Sequence, residues 1–246
     1  MIMMDKTYTV ALMGNPNTGK STLFNVLTGL RQHTGNWPGK TVTHAEGECR
    51  HRGTLYRIVD LPGTYSLYSN SADEEVARDF LLFQRPDVTI VVVDATALER
   101  NLNLALQVLE MTDRVIIAIN LMDEAKKKGI HINTKKLAAK LGVPVVPISA
   151  RNREGIDALL DTVDAMAHGR INTNPLSIRY SPEIERGIAK LLPLVKDVMG
   201  DTYPARWIAL RLLDGDTSLL QALKQPPQPL IKEGNAYACC GSVKSV

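Results

Sequence analysis

Eight residues, Gly14-Asn15-Pro16-Asn17-Thr18-Gly19-Lys20-Ser21, constrain this chain more than any other stretch. They read G-x-x-x-x-G-K-S, the spacing of a phosphate-binding loop. An apolar run, Thr9-Val10-Ala11-Leu12-Met13, precedes them, and Leu23-Phe24 with Val26-Leu27 follow at helical spacing. A strand leading in and a helix leading out is the setting this loop requires. The glycines let the backbone curl until several N–H groups face one anion, and the helix adds the positive end of its dipole. Gly14 through Ser21, with the adjacent Thr22, are therefore the expected phosphate contacts. Lys20 is placed to reach β- and γ-phosphates, and the Ser21 hydroxyl to bind Mg²⁺. Taken alone, the pattern also fits a glycine-rich turn that binds nothing.

The rest of the composition sets outer limits. A chain of 246 residues has room for one large core and a smaller appendage. Hydrophobic content of 44% and charged content of 22% are ordinary for a globular protein, and a formal charge of +3 gives no argument for nucleic acid. Cys49, Cys239 and Cys240 form no disulfide framework and no spaced metal site. The adjacent pair reads as part of a reduced tail, with a soft-metal or lipidation site as the alternative. The apolar runs 88–93 and 115–119 are far shorter than the ~20 residues of a membrane span. The start lacks a signal-peptide core, so the chain as given reads as soluble.

Taken in order, apolar β-branched runs alternate with helical patterns. Strands are expected at 7–13, 43–51, 54–60, 87–94, 114–120 and 143–148, and helices at 21–29, 73–84, 98–112, 134–141 and 153–168. The later strands are apolar almost throughout, as in a parallel sheet covered on both faces. The expectation is a doubly wound, mostly parallel six-stranded α/β sheet over residues 1–170. Ser181-Pro182-Glu183 then starts a helix. Further helices at about 203–213 and 217–223 complete a small all-α subdomain over 171–224, and Pro226, Pro227 and Pro229 open a flexible tail over 225–246.

Three more motifs follow the loop in order. Asp60-Leu61-Pro62-Gly63 ends the third expected strand, where Asp60 can hold Mg²⁺ through water and the Gly63 N–H can meet a γ-phosphate. Asn120-Leu121-Met122-Asp123 follows the fifth. A carboxylate only accepts, so Asp123 suits guanine, whose N1–H and amino group both donate; adenine would leave the charge unpaired. Asn120 is expected to tie this segment to the phosphate loop and to the base, and a backbone N–H at Ser149-Ala150, that of Ala150, to meet the guanine O6. Each motif stands just past the carboxyl end of a strand, where open α/β sheets bind ligands. Together they point to a guanine-nucleotide site of the Ras-like type.

Between loop and hairpin, Arg31–Val42 reads as a flexible switch, with Thr41 the second Mg²⁺ hydroxyl and Thr43 its rival. Thr64-Tyr65-Ser66-Leu67 forms the other switch. Trp37 faces a partner or packs locally. His33, His44 and His51 read as strand-surface residues rather than a metal site, and Asp94 as a cap or salt-bridge residue with a cation site as the alternative. Asp73-Glu74-Glu75 matches a helix dipole. Lys126-Lys127-Lys128 is a solvated helix end, able to meet anionic lipid beside a membrane domain.

Several phrases are more specific than generic GTPase motifs. Gly35-Asn36-Trp37-Pro38-Gly39-Lys40-Thr41-Val42 and Asp60–Leu67 stand out. With them go Asn15-Pro16-Asn17, Val93-Asp94-Ala95, Leu98–Leu102, and the later Tyr203-Pro204, Arg206-Trp207 and Leu212–Asp216. The chain to about residue 217 resembles the cytosolic part of the bacterial ferrous iron transport protein B family. The resemblance implies GTP hydrolysis coupled to Fe²⁺ uptake, a helical domain that strengthens GDP binding, and K⁺ stimulation through a phosphate-loop asparagine matched by Asn15. It implies catalytic roles for Lys20, Thr41, Gly63 and Asn15, with Mg²⁺ at Ser21, Thr41 and Asp60. It implies a place at the cytoplasmic face of the inner membrane, with a permease domain of the same full-length protein as partner. A homo-oligomer and small accessory transport proteins are admitted as further partners. A ribosome-associated relative would want a basic appendage; residues 171–246 hold nine Lys/Arg and seven Asp/Glu, which argues against nucleic acid.

Two departures from the general GTPase pattern matter. Thr64 stands where Ras-like enzymes carry the glutamine that orients water, so backbone groups must do so and intrinsic turnover should be slow. Leu121 stands where a lysine stem usually covers the base, which leaves selectivity to Asp123. Asp123→Asn is therefore expected to weaken GTP selectively; calorimetry showing an unchanged GTP-over-XTP preference would refute the assignment.

Overall fold

A computed structural model describes residues 6–29, 32–37, 40–68 and 71–226. The expected tail beyond Pro226, with Cys239 and Cys240, lies outside the described residues, as do Pro38 and Gly39. The strands are β1 (Thr7–Gly14), β2 (Gln32–Asn36), β3 (Thr43–His51), β4 (Thr54–Asp60), β5 (Val88–Asp94), β6 (Val115–Asn120) and β7 (Val145–Pro147). They form one sheet in the order β2-β3-β4-β1-β5-β6-β7. β2, β3 and β4 pair antiparallel, and the rest are parallel.

The sheet has seven strands, not six. The added strand, β2, falls in the segment read as a flexible switch. Its sequence, QHTGN, carries no apolar alternation, so periodicity could not reveal it. It pairs along one side with β3, from Gln32↔Gly47 to Asn36↔Thr43. Gly35 lets it sit close, since a Cβ there would lie 2.9 Å from the His44 ring.

Period-2 alternation divides the central strands between two cores. Val10 and Leu12 of β1, with Ile90, Val92, Ile116 and Ala118, pack under α1 (Lys20–Thr28) and α6 (Ile156–Ala167). Ala11 and Met13, with Val91, Val93, Ile117 and Ile119, face the other way. There they meet α2 (Ala72–Asp79), which runs on into a π-helical turn at Phe80–Gln84, and α3 (Leu98–Met111). Covered on both faces, β6 and all of β5 but Asp94 are buried, and both read as nearly continuous apolar runs. The short helix α4 (Met122–Lys127) was not anticipated, and α5 (Thr134–Leu141) was.

Three helices follow: α7 (Pro182–Met199), α8 (Ala205–Leu213) and α9 (Thr217–Lys224). Ile188, Val195, Trp207, Ile208 and Leu219 join the α2–α3 side of the core. Ser181 occupies the cap position of α7 without a side-chain cap bond; Pro182 and the acids Glu183 and Glu185 start the helix. Among the described residues no helix is long and apolar enough to cross a membrane.

Charge ties the helices to the sheet domain. Arg78 of α2, 1% exposed, donates to Ser218 Oγ at 2.7 Å and lies 3.7 Å from Asp216 Oδ2. Arg211 reaches the same carboxylate at 3.1 Å, and Asp216 caps α9 through the Leu219 N–H. Burial pushes the Asp216 carboxyl up, but that N–H, Arg211, Ser218 and Arg78 outweigh it and hold the group below the ordinary aspartate range. A depressed native pKa gives stability that is whole above the unfolded value of about 3.9 and is lost as pH falls through the native one. Asp216→Asn is expected to lower the unfolding midpoint by roughly 5 °C at neutral pH, about 2 kcal/mol. The gap from the parent should close on acid titration toward pH ~3, as the parent carboxyl also protonates.

Candidate functional site

The site is assembled at the carboxyl ends of β1, β4, β6 and β7. β1 ends at Gly14, where β5 passes so close that a Cβ would lie 2.6 Å from Val92 O. The loop then turns through left-handed residues, Asn17 (φ 66°) and Gly19 (φ 79°), before α1 begins at Lys20. Thr18 Oγ1 donates to Asn15 O at 3.0 Å and pins the curl. Ser21 and Thr22 are exposed on the first turn of α1, which has no capping side chain and no acid to compete for an anion.

The two asparagines of the loop differ. Asn15 is buried, 3% exposed, and its Oδ1 is sealed from the surface with no hydrogen-bond partner among the described residues. Asn17 is exposed in the left-handed bend, beside the half-buried Pro16.

β4 delivers the next group beside the loop. Leu61 N–H donates to Leu12 O at 3.0 Å and Thr64 N–H to Gly14 O at 3.3 Å, so the Asp60–Thr64 turn is laced to β1. Gly63 lies against Pro16; a Cβ would be 3.4 Å from its Cα. Lys20 Nζ donates to Leu61 O at 2.6 Å and forms an ion pair with Asp60. Burial pushes the Asp60 carboxyl above its ordinary range while Lys20 pulls it back. Thr64 turns its side chain inward, and its Oγ1 is also buried without a partner among the described residues. Thr41 is exposed and shares with Val42, Pro62 and Gly63 the lining of one cleft. Its rival Thr43 starts β3 opposite Asn36, as a strand residue does.

The segment expected to recognise the base is held by one amide. Asn120 Nδ2 donates to Thr18 O at 2.9 Å, and Asn120 Oδ1 accepts from the Ala150 N–H at 3.0 Å. The first bond is the expected tie to the phosphate loop. The second engages the N–H expected to face guanine O6, because a buried Asn120 carbonyl must itself be satisfied. Asp123 accepts from Ser149 Oγ at 2.9 Å. That bond keeps its carboxyl below the ordinary range against a smaller opposing effect of burial. Leu121 adopts φ 62°, which turns the chain into α4 between Asn120 and Asp123.

Several expectations fall elsewhere. Among the described residues no three or more His, Cys, Asp or Glu side chains gather as a metal site would need. His44 meets Glu46 at 3.3 Å and His51 meets Asp161 at 2.6 Å. Asp94 caps the following turn through the Thr96 N–H at 2.7 Å. Trp37 is buried against Phe80, 5.6 Å between ring centres. The bonds of Leu61 O, Thr18 O and Ser149 Oγ went unread, because a carbonyl or an isolated hydroxyl leaves no mark in a sequence pattern.

The fold and this site define a G domain, the GTPase fold of the phosphate-loop proteins. A family model described as ferrous iron transport protein B matches residues 8–163, and one described as the FeoB cytosolic helical domain matches 180–237. An Fe(2+) transport protein A/Fe(2+) transporter FeoB fusion protein of Porphyromonas gingivalis is 41% identical over 90% of this chain and 27% of its own length. The Fe(2+) transporter FeoB of Escherichia coli K12 is 41% identical over 86% of this chain, again 27% of its own. The chain thus spans about a quarter of these curated relatives. The cytosolic domain of T. maritima FeoB, solved in a GDP form, superposes with a TM-score of 0.82 at 38% identity, covering 94% of this chain and 90% of that one. That of L. pneumophila gives 0.78 at 38% identity, covering 87% and 91%. The chain belongs to the ferrous iron transport protein B family.

Gly19 is the tightest point of the site: a Cβ there would lie 2.4 Å from Asn120 Nδ2, at a φ that disfavours side chains. Gly19→Ala should break the Asn120–Thr18 bond and destabilise the fold by about 1–3 kcal/mol, read as a lowered midpoint in thermal unfolding.

Proposed function

We propose that this chain binds and hydrolyses GTP as the cytosolic part of a ferrous iron transporter, governing an attached membrane permease. The observation that carries the reading is the Asn120–Asp123 segment: a carboxylate kept ionised by Ser149, bonded through Asn120 to the carbonyl of Thr18 in the phosphate loop. Such a carboxylate accepts both donors of guanine. The same reading divides the chain into a G domain over 1–170, a helical subdomain over 171–224 and a connection toward the permease over 225–246. Four of every ten residues are shared with named Fe(2+) transporters, which supports iron as the cargo.

Binding exchanges partners. Lys20 leaves Asp60 for β- and γ-phosphate oxygens, and the loop N–H groups of Asn15 and of Asn17 to Ser21 take the rest. The freed Asp60 carboxylate and the hydroxyls of Ser21 and Thr41 are hard oxygen donors that suit Mg²⁺. Gly63 presents its N–H to the γ-phosphate. Asn120 and Asp123 orient the base, and the Ala150 N–H is shared between Asn120 and guanine O6. Thr64, turned inward, cannot orient the attacking water, so backbone groups of the first switch do, and intrinsic turnover is slow.

In place of the expected Asn15, the residue that would hold K⁺ is Asn17, which is exposed on the loop while the Asn15 side-chain carbonyl is sealed. When bound, Mg²⁺ and K⁺ supply the positive charge that other GTPases complete with an arginine finger.

Steady-state phosphate release decides the matter. The expected result is GTP-dependent release that is on the order of tenfold faster in K⁺ than in Na⁺. Asn17→Ala should abolish the K⁺ advantage and Asn15→Ala should retain it. No release in either salt would overturn the GTPase reading, and equal rates would remove K⁺ from it.

A further inference from the structure

Lys40, the residue before Thr41, reaches across to α2. Its Nζ lies 2.6 Å from Glu75 Oε2 and 3.8 Å from Asp79 Oδ2. Its N–H donates to Trp37 O at 3.0 Å, and the Trp37 N–H donates to Val42 O at 2.8 Å. Trp37 and Lys40–Val42 therefore hold together as one unit. Trp37 fastens that unit by packing on Phe80, and Lys40 fastens it by charge to the helix just before.

The contact does not stop at α2. Asp79 presents Oδ2 to Lys40 and Oδ1 to Arg78, whose Nε and Nη2 lie at 2.8 and 2.6 Å. Arg78 meets Asp216 and Ser218 of the helical subdomain. Arg211 shares Asp216 and donates back at 3.4 Å to the carbonyl of Tyr68, the residue just after the Thr64–Leu67 segment. A chain of alternating charge thus runs from Lys40 through Asp79, Arg78 and Asp216 to Arg211. Of Asp73, Glu74 and Glu75, read from the sequence as dipole matching, Glu75 also joins this chain by pairing with Lys40.

We propose that Lys40 is a positioning residue. Its pair with Glu75 and Asp79 seats Trp37 and Lys40–Val42 on α2 and holds Thr41 in the cleft it lines with Gly63. What Thr41 does there rests on the GTPase reading; the seat itself does not. An oriented hydroxyl contributes to rate because its freedom is already lost before the phosphates arrive. The pair is about three-tenths exposed on both sides, so the effect is modest.

In a Trp207→Phe background Trp37 is the sole tryptophan. Its quenching by acrylamide, with no nucleotide added, reports the seat. Lys40→Met is expected to raise that quenching, and Lys40→Arg to restore it, which a general loss of stability would not do. With Mg²⁺ and saturating GTP, Lys40→Met should lower kcat on the order of fivefold and leave GDP affinity unchanged. Combining Lys40→Glu with Glu75→Lys should recover part of the loss. Unchanged Trp37 quenching in Lys40→Met overturns the proposal, as does a charge exchange no better than either single variant. If the parent chain releases no phosphate, the GTPase reading fails, and the quenching series alone decides the role of Lys40.

Discussion

The site depends on one buried amide. Asn120 is 1% exposed and makes two bonds in opposite senses: its NH₂ donates to Thr18 O and its carbonyl accepts from Ala150 N–H. An aspartate could not donate the first bond, and a leucine could make neither. Through this side chain the end of β6 fixes the phosphate loop after β1 and the turn after β7. Gly19 must lack a side chain to let the amide pass, and Leu121 must turn through a left-handed conformation to bring Asp123 back toward Ser149. Each irregularity costs on the order of a kcal/mol, tolerable because two covered cores hold the strands that carry it.

Charge is handled with equal care. Lys20 and Asp60 are both shielded and neutralise each other, so neither stands as an unpaired buried ion. Burial raises the affinity of Asp60 for protons, and the pairing with Lys20 opposes that rise. In the proposed function, phosphates would take the lysine and a metal ion the carboxylate, so a single exchange would refit both partners. The arginines of the helical interface follow the same logic: Arg78 and Arg211 are nearly inaccessible and share Asp216.

What the sequence made legible follows from which forces leave a periodic or spaced mark. β5 and β6 were plain because burial on both faces demands apolar residues at nearly every position. The phosphate loop, Asp60–Gly63 and Asn120–Asp123 were plain because phosphate and base chemistry fixes residue types at fixed spacings. β2 was hidden because an edge strand gains backbone bonds without burying a face. Asn15 and Asn17 are indistinguishable as letters; only the bend between them decides which is exposed. The Ala150 N–H belongs to no side chain, and its engagement by Asn120 appears only in three dimensions. Lys40 and Glu75 are thirty-five positions apart, beyond any local pattern.

The placement of the helical subdomain has a mechanical consequence. It packs on the α2–α3 face of the sheet, and its buried arginine bridge enters through α2. α2 is also the element that follows the Asp60–Thr64 turn and accepts Lys40 from beside Thr41. A shift of either segment would therefore act on the same helix, from its N-terminal turn or through Glu75 and Asp79. The helix cannot move without disturbing Asp79, which binds Lys40 with one oxygen and Arg78 with the other. A tightly packed face transmits such a displacement rather than absorbing it. Under the proposed function, a nucleotide that favoured one position of α2 would also favour one seating of α8 and α9, and the reverse would hold with equal free energy.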